Sequence, residues 1–437
     1  MAESPPTNIA HLERLATALE LNDSTSFNQN TRNASQATQI RAKDSLSITK
    51  KKTSDVKKQE ETLPGEVLSL DDIKVLKKTL FGDRSFLFND DWTNTSFVFQ
   101  SVQSKCPYGL MSPQNGARGL IACVQAHILK HLMFSEADLV DMQSSSKGLP
   151  RLQAERHQRA ALAGAMAAIL WKAGEKRRAV VAVIHKLHPG LLHTEQRRME
   201  YLADCLRYFE CNSYKQLTAT INRELDMFSD QAGGGALGFL FSLLLTRTID
   251  RLEHDLQGTS LLTETNRCDT PLLNLMLTGQ ATPHVFNGKI TYDDDGNLLD
   301  TPVIGINDRA DVGLLIVDRE KPKSKDPTKH LGSMLKTPKF PIWVVSLNYH
   351  ISVLFSTNIN LNRDWRSEQK FDLYYLNGQS NHTNATRITV DSRTIKTYSK
   401  QPTRNMSDKN AYPIVEECIT TRWPGVRIDW NGSIPYF

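Results

Sequence analysis

Cysteine is scarce in this chain, and its spacing does not suit a metal. The six thiols, at positions 106, 123, 205, 211, 268 and 418, form no CxxC pair and no Cys/His pattern of a zinc site. Long apolar runs are missing too. The longest, Leu237 to Leu245, is too short to span a bilayer, and Met1 to Leu19 carries no apolar core of a secretory leader. The expectation is reduced thiols in the cytosol or nucleus, with no membrane partner. Charge of one sign is not in large excess. A net charge of +5 is too mild to argue for nucleic acid without clustering. No phosphate-binding signature is complete. Asp230-Gln231-Ala232-Gly233-Gly234-Gly235 precedes a helix, but no GxGxxG or GxxxxGK[ST] finishes it, so it reads as a tight entry to a buried helix. There is no internal repeat, and no cofactor is implied.

What is present falls into two parts. Residues 1–64 are rich in Ser, Thr, Asn, Gln and Lys and nearly free of aromatics, which is the composition of a disordered tail. Within it, Ile9 to Leu21 has the spacing of a short amphipathic helix. Lys50, Lys51, Lys52, Lys57 and Lys58 form a basic cluster, read as a solvated linker, with a nuclear localisation signal or polyanion contact as the alternatives. Residues 65–437 have the 3.6 and 2.0 periodicities of a folded domain. Ser69 reads as the N-cap of a helix through Ile73, Leu76 and Leu80, ended by Phe81-Gly82. Further helices are expected over Leu152–Trp171, Glu195–Phe209, Leu237–Leu252 and Leu272–Leu277. Strands are expected over Arg177–Ile184, Val312–Val317, Ile342–Ser346, Ile351–Phe355, Phe371–Leu376 and Val426–Trp430, with Asn377-Gly378 as a turn. Helices first and a mostly antiparallel set of strands afterwards predict an α+β fold.

Two stretches carry the chemistry. The first runs from Lys105 to Ala126, a Gly/Pro-punctuated loop entering a helix whose apolar residues are Leu120, Ile121, Val124, Ile128 and Leu132. A nucleophile is well served at such a helix start, because unpaired N–H groups and the helix dipole favour an anion there. The residue at the turn is Arg118. The second stretch is Pro341 to Phe355, which places His350 at the start of a strand just after a tight loop. A nucleophile opening a helix and a base on a much later strand is the papain-like order; a histidine at a strand edge is also often structural.

The two stretches together resemble the MINDY family of cysteine deubiquitinases, in its larger subfamily. The match is to a loop-helix pattern Gln-x-x-Gly-Gly-Pro-Cys-x6-Gln-Ala, and to a strand pattern met here by Lys336, Thr337, Pro338, Phe340, Pro341, Ile342, Trp343, Val344 and Val345, then His350, Ser352, Val353, Leu354 and Phe355. Asn274 to Gly279, Val285 to Gly288, Asp311 to Gly313, Phe371 to Tyr375, Arg422 to Pro424 and Trp430 to Gly432 extend the resemblance to the C-terminus. It implies a papain-like fold and a site built from a Cys nucleophile, a His base and an oxyanion Gln. Position by position, the histidine is His350, the cysteine position falls on Arg118, and the glutamine position falls on Ser112, with Gln114 displaced by two.

The guanidinium has only donors and stays protonated, so it cannot attack a carbonyl. Cys123 is about 7.5 Å farther along the helix and turned by roughly 140°; Cys106 lies upstream in the loop. The resemblance therefore implies a pseudoenzyme, an inactive deubiquitinase that binds ubiquitin or polyubiquitin without cleaving it. The alternatives are an active hydrolase with a rearranged site, and a ubiquitin-independent scaffold.

Overall fold

The computed structural model describes residues 65–85, 87–134, 137–140, 148–151, 154–185, 194–230, 234–292, 295–320, 326, 329–379, 384–393 and 413–435. The expected disordered tail, its helix at Ile9 to Leu21 and its lysine cluster lie outside these residues.

The fold is α+β. Its helices are α1 (Leu70–Phe81), α2 (Asp90–Thr93), α3 (Arg118–Met133), α4 (Glu155–Ala173), α5 (Glu195–Cys205), α6 (Tyr214–Arg223), α7 (Leu225–Ser229), α8 (Gly235–Arg247), α9 (Ile249–Leu256), α10 (Thr270–Thr278), α11 (Ser333–Lys336) and α12 (Ile414–Arg422). The strands are β1 (Glu66–Val67), β2 (Ala179–Ile184), β3 (Leu206–Cys211), β4 (Lys289–Tyr292), β5 (Leu298–Ile304), β6 (Gly313–Val317), β7 (Ile342–Leu347), β8 (His350–Phe355), β9 (Lys370–Leu376), β10 (Thr386–Asp391) and β11 (Arg427–Asp429). A six-stranded sheet runs β11-β10-β9-β8-β7-β6. All its neighbours are antiparallel except β6 and β7, which are parallel. A smaller sheet, β1-β3-β2, lies on the helical side, and β4 and β5 form a separate hairpin.

Helix α3 is the hub. It packs on α4 and α10 and across β7 and β8, and its residues from Arg118 to Leu129 are all buried. So a helix read from one apolar stripe is covered on every side at its N-terminal end. Gly164 allows α4 to come close, since a Cβ there would meet the His131 ring at 2.8 Å. The far end of α3 is held by charge. Lys130 Nζ lies 2.6 Å from Asp311 Oδ2 and Lys339 Nζ 3.1 Å from Asp311 Oδ1.

Several boundaries differ from expectation. The predicted helix over Glu195–Phe209 stops at Cys205, where the chain enters β3 directly; pairing of Leu206–Cys211 with β2 supplies hydrogen bonds that helical spacing does not reveal. The predicted helix over Leu237–Leu252 is two helices, α8 and α9, broken at Thr248 with φ at +72°. Strand β10, the β4–β5 hairpin and α12 carry no strong periodic signal and were not expected. The glycine turn at Gly234, with φ at +88°, opens the buried α8 as expected of a tight entry.

Candidate active site

Arg118 is the first residue of α3, and Ala117 before it provides no side-chain cap. Gly116 makes the preceding turn possible: its φ is +52°, and a Cβ would come 2.5 Å from Asp91 Cβ. The loop is tied down at several points. Gln125, inside α3, accepts from Leu110 N at 2.6 Å and donates to Tyr108 O at 3.0 Å. Met111 N donates to Val98 O and Ser112 N to Gly378 O, both at 2.8 Å.

On the other side, β7 and β8 meet in a two-residue turn. Asn348 and Tyr349 have φ of +47° and +67°, the left-handed pair that suits a tight hairpin. This puts His350 at the first position of β8, opposite Leu347.

The two stretches converge on one cluster. Arg118 is only 3 % exposed. Its Nε donates to Ile351 O at 2.6 Å and its Nη1 to Pro113 O at 2.9 Å. Its Nη2 donates to Asn377 O at 2.7 Å and to Asn377 Oδ1 at 2.6 Å, and lies 2.9 Å from His350 Nε2. His350 Nε2 is also 2.8 Å from Asn377 Oδ1. Unprotonated, that nitrogen accepts from Arg118; protonated, it donates to Asn377. Burial lowers the Arg118 pKa to about 10, so the guanidinium remains a cation at neutral pH. All of the partners just named are neutral groups or the imidazole, with no carboxylate among them.

The expected trio is thus only partly assembled. Arg118 and His350 are in contact. Ser112 lies in the same loop, but among the described residues its hydroxyl reaches only Pro113 O, at 3.4 Å. Gln114 is exposed. Asn377 was missed: the sequence presents it as half of an Asn-Gly turn, and only the approach of β9 to α3 reveals it as a shared partner. Cys106 and Cys123 are fully buried. Burial pushes the Cys106 thiol up to about 11 and the Cys123 thiol well above its ordinary value. A thiol from elsewhere stands at this helix end. Cys268 Sγ is 3.5 Å from Gly116 O, and a Cβ on Gly119 would meet it at 3.1 Å. Burial pushes that thiol up to about 12, against the pull of the Leu120 and Gly119 N–H groups. Among the described residues, no three His, Cys, Asp or Glu side chains cluster as a metal site.

The conserved domain of the deubiquitinating enzymes MINDY-3/4 matches residues 77–432. The chain belongs to that family. The human probable ubiquitin carboxyl-terminal hydrolase MINDY-4 is 33% identical over 365 residues, covering 83% of this chain and 45% of the relative. Its mouse counterpart is 35% identical over 366 residues, covering 83% and 46%. The human ubiquitin carboxyl-terminal hydrolase MINDY-3 is 26% identical over 296 residues, covering 62% and 61%. The chain spans about half the length of the MINDY-4 relatives. No solved structure matches it.

Family membership corrects one expectation. The sequence reading made the chain a non-enzyme because Arg118 occupies the thiol position. The relatives it matches are named as hydrolases, and nothing in the fold shows that activity is lost. The physical weakness of that reading is that it weighed only thiols near Arg118 in sequence, whereas Cys268 reaches the same helix end from a distant loop. Among the described residues, no helix is long and apolar enough to cross a membrane.

Proposed function

We propose that this MINDY-3/4 domain acts on ubiquitin conjugates, taking the C-terminal tail of ubiquitin or of a polyubiquitin chain to the junction of the start of α3 with β8. The observation that supports this reading is the 2.9 Å approach of Arg118 to His350, the two positions to which the resemblance assigns the family's nucleophile and base. The buried cation suits a carboxylate or a developing oxyanion beside it, and His350 is placed to move a proton.

A second reading concerns the chemistry, and the position of Cys268 favours it. A thiolate there would attack the terminal glycine carbonyl to form a thioester. The amine would leave with a proton from His350, and water would then release the tail. Cys268 must first lose the proton that burial holds on it.

Two measurements test these readings. Labelled ubiquitin and di-ubiquitin are titrated into the purified chain, and a saturable anisotropy change is expected. Its absence at millimolar ubiquitin would overturn recognition. A ubiquitin carrying a C-terminal electrophile is then incubated with the chain and the adduct mapped by mass spectrometry. An adduct on Cys268 that disappears in Cys268→Ser supports the thioester route, and none on Cys268 overturns it.

A further inference from the structure

Arg309, Arg363 and Arg422 are held by one segment, Asn362 to Glu368. Arg309 reaches it from the loop before β6. Its Nε donates to Thr337 O, and its Nη2 donates to Pro338 O at 2.9 Å and to Asn362 O at 3.4 Å. Arg363 follows Asn362 in the chain, and its Nη1 donates to Asp138 O at 2.8 Å. Arg422 ends α12, and its Nη2 lies 2.6 Å from Glu368 Oε1. Thr337 and Pro338 lead into β7 at the end where Ile342 pairs with Phe355, while His350 pairs with Leu347 at the other end. The two ends are separated by about 17 Å of strand, at 3.2–3.4 Å per residue.

Backbone carbonyls satisfy donors here without neutralising charge. Glu368 is ion-paired with Arg422, and Asp138 pulls on Arg363 against the effect of burial. Arg309 has no ion-pair partner among the described residues. Burial lowers its pKa, and the positive charges of Arg363 and Arg422 lower it further, so the three cations lie within electrostatic reach of one another. The hydrogen bonds also leave a particular set of donors open. With Nη1 of Arg363 on Asp138 O, its Nε and Nη2 have no partner among the described residues, and those two N–H groups point in parallel. Arg309 keeps Nη1 open in the same way. Arg309 is exposed and Arg363 half-buried. A parallel pair of guanidinium donors matches two oxygens of a phosphate, and a second arginine can take the third. A phosphate monoester also brings a charge of about −1.5 to −2, more than one carboxylate supplies.

We propose that Arg363, through its Nε and Nη2 edge, and Arg309, through Nη1, bind a phosphate group, with the charge of Arg422 adding to theirs. The phosphate belongs either to the free inorganic ion or to a phosphorylated serine or threonine of a protein. The site is separate from the Arg118–His350 contact and does not depend on the ubiquitin reading.

The test is calorimetric titration of the full chain with inorganic phosphate, with a short phosphoserine peptide and with the same peptide unphosphorylated. Saturable binding is expected for the phosphate-bearing probes and not for the unphosphorylated peptide. Tighter binding of the phosphopeptide identifies a phosphoprotein as the source; equal or tighter binding of inorganic phosphate identifies the free ion. Arg309→Gln and Arg363→Gln are each expected to raise Kd by about tenfold or more. Arg363→Lys, which keeps the charge and loses the parallel donors, should raise it by a smaller factor. A second measurement needs no variant. The unaltered chain is modified with phenylglyoxal and the labelled arginines are mapped by mass spectrometry. Phosphate should slow labelling of Arg309 and Arg363 and leave Arg197, exposed on α5, unchanged. No saturable binding of either phosphate-bearing probe at millimolar concentration overturns the site. Unchanged Kd in both glutamine variants does the same, as does labelling of Arg309 and Arg363 that phosphate does not slow beyond that of Arg197.

Discussion

Arg118 and His350 are 232 positions apart in the sequence and 2.9 Å apart in space. The contact joins the first turn of α3 to the first residue of β8, and Asn377 braces both partners. A buried cation bound this way is a fixed part of the junction between α3 and β8, since moving it would leave several acceptors and the charge itself unpaired.

Arg118→Cys, combined with Ser112→Gln, is expected to place a thiol beside His350. A ubiquitin-based electrophile should label residue 118, and His350→Ala in the same background should slow that labelling. A folded double variant that gains no label at residue 118 would show that His350 and the helix start do not form a working pair.

Asn377→Ala removes the acceptor shared by Arg118 and His350. Hydrogen bonds to a charged group contribute about 1.5–3 kcal/mol each, and the charge here is buried, so a loss of about 2–4 kcal/mol is expected in urea denaturation. Asn377→Asp, which sets a carboxylate against the guanidinium, should be less destabilised at pH 7 than the alanine variant. A loss below half a kcal/mol, as expected only of a peripheral site, would show that the bracing is unimportant.

The sequence revealed some of this site and hid the rest for a physical reason. Arg118 and His350 were found because each sits at a boundary that local patterns mark: a Gly/Pro loop entering an apolar helix, and a tight turn between two apolar strands. The α+β order, helix α1 with its Ser69 cap and the frame around β7 were legible in the same way. Asn377 and Cys268 were not, because their roles exist only through contacts between distant segments. Strand β3 was read as helix because its partner β2 lies more than twenty positions away, and strand identity is settled by pairing. The break at Thr248 left no Gly or Pro to mark it.

Gly119→Ala tests the packing at the start of α3. A Cβ there would come 2.7 Å from Cys268 Cβ and 2.9 Å from Ile351 Cδ1. Overpacking of this kind costs about 1–3 kcal/mol, and thermal denaturation should show it. Stability within error of the unaltered chain would mean that the Cys268 loop gives way freely.

Asp311 makes stability depend on pH. Burial pushes its carboxyl up, but Lys130, Lys172 and Lys339 together outweigh burial and hold it well below the usual carboxylate range. A group whose folded pKa is depressed stabilises the fold above its unfolded value, near 4, and that contribution falls away as the pH drops toward the folded value. Urea midpoints measured from pH 6 to pH 2.5 should decline. The decline should be shallower in Asp311→Asn, whose stability at pH 6 is already lower. Parallel curves for the two proteins would contradict the assignment.

Hydrogen exchange of the full chain with and without saturating ubiquitin tests the central claim most directly. Slower exchange is predicted in peptides covering residues 110–120 and 347–352, which carry the loop before α3 and the turn before β8. Bound ubiquitin that leaves exchange in both segments unchanged would contradict the placement of its tail at this junction.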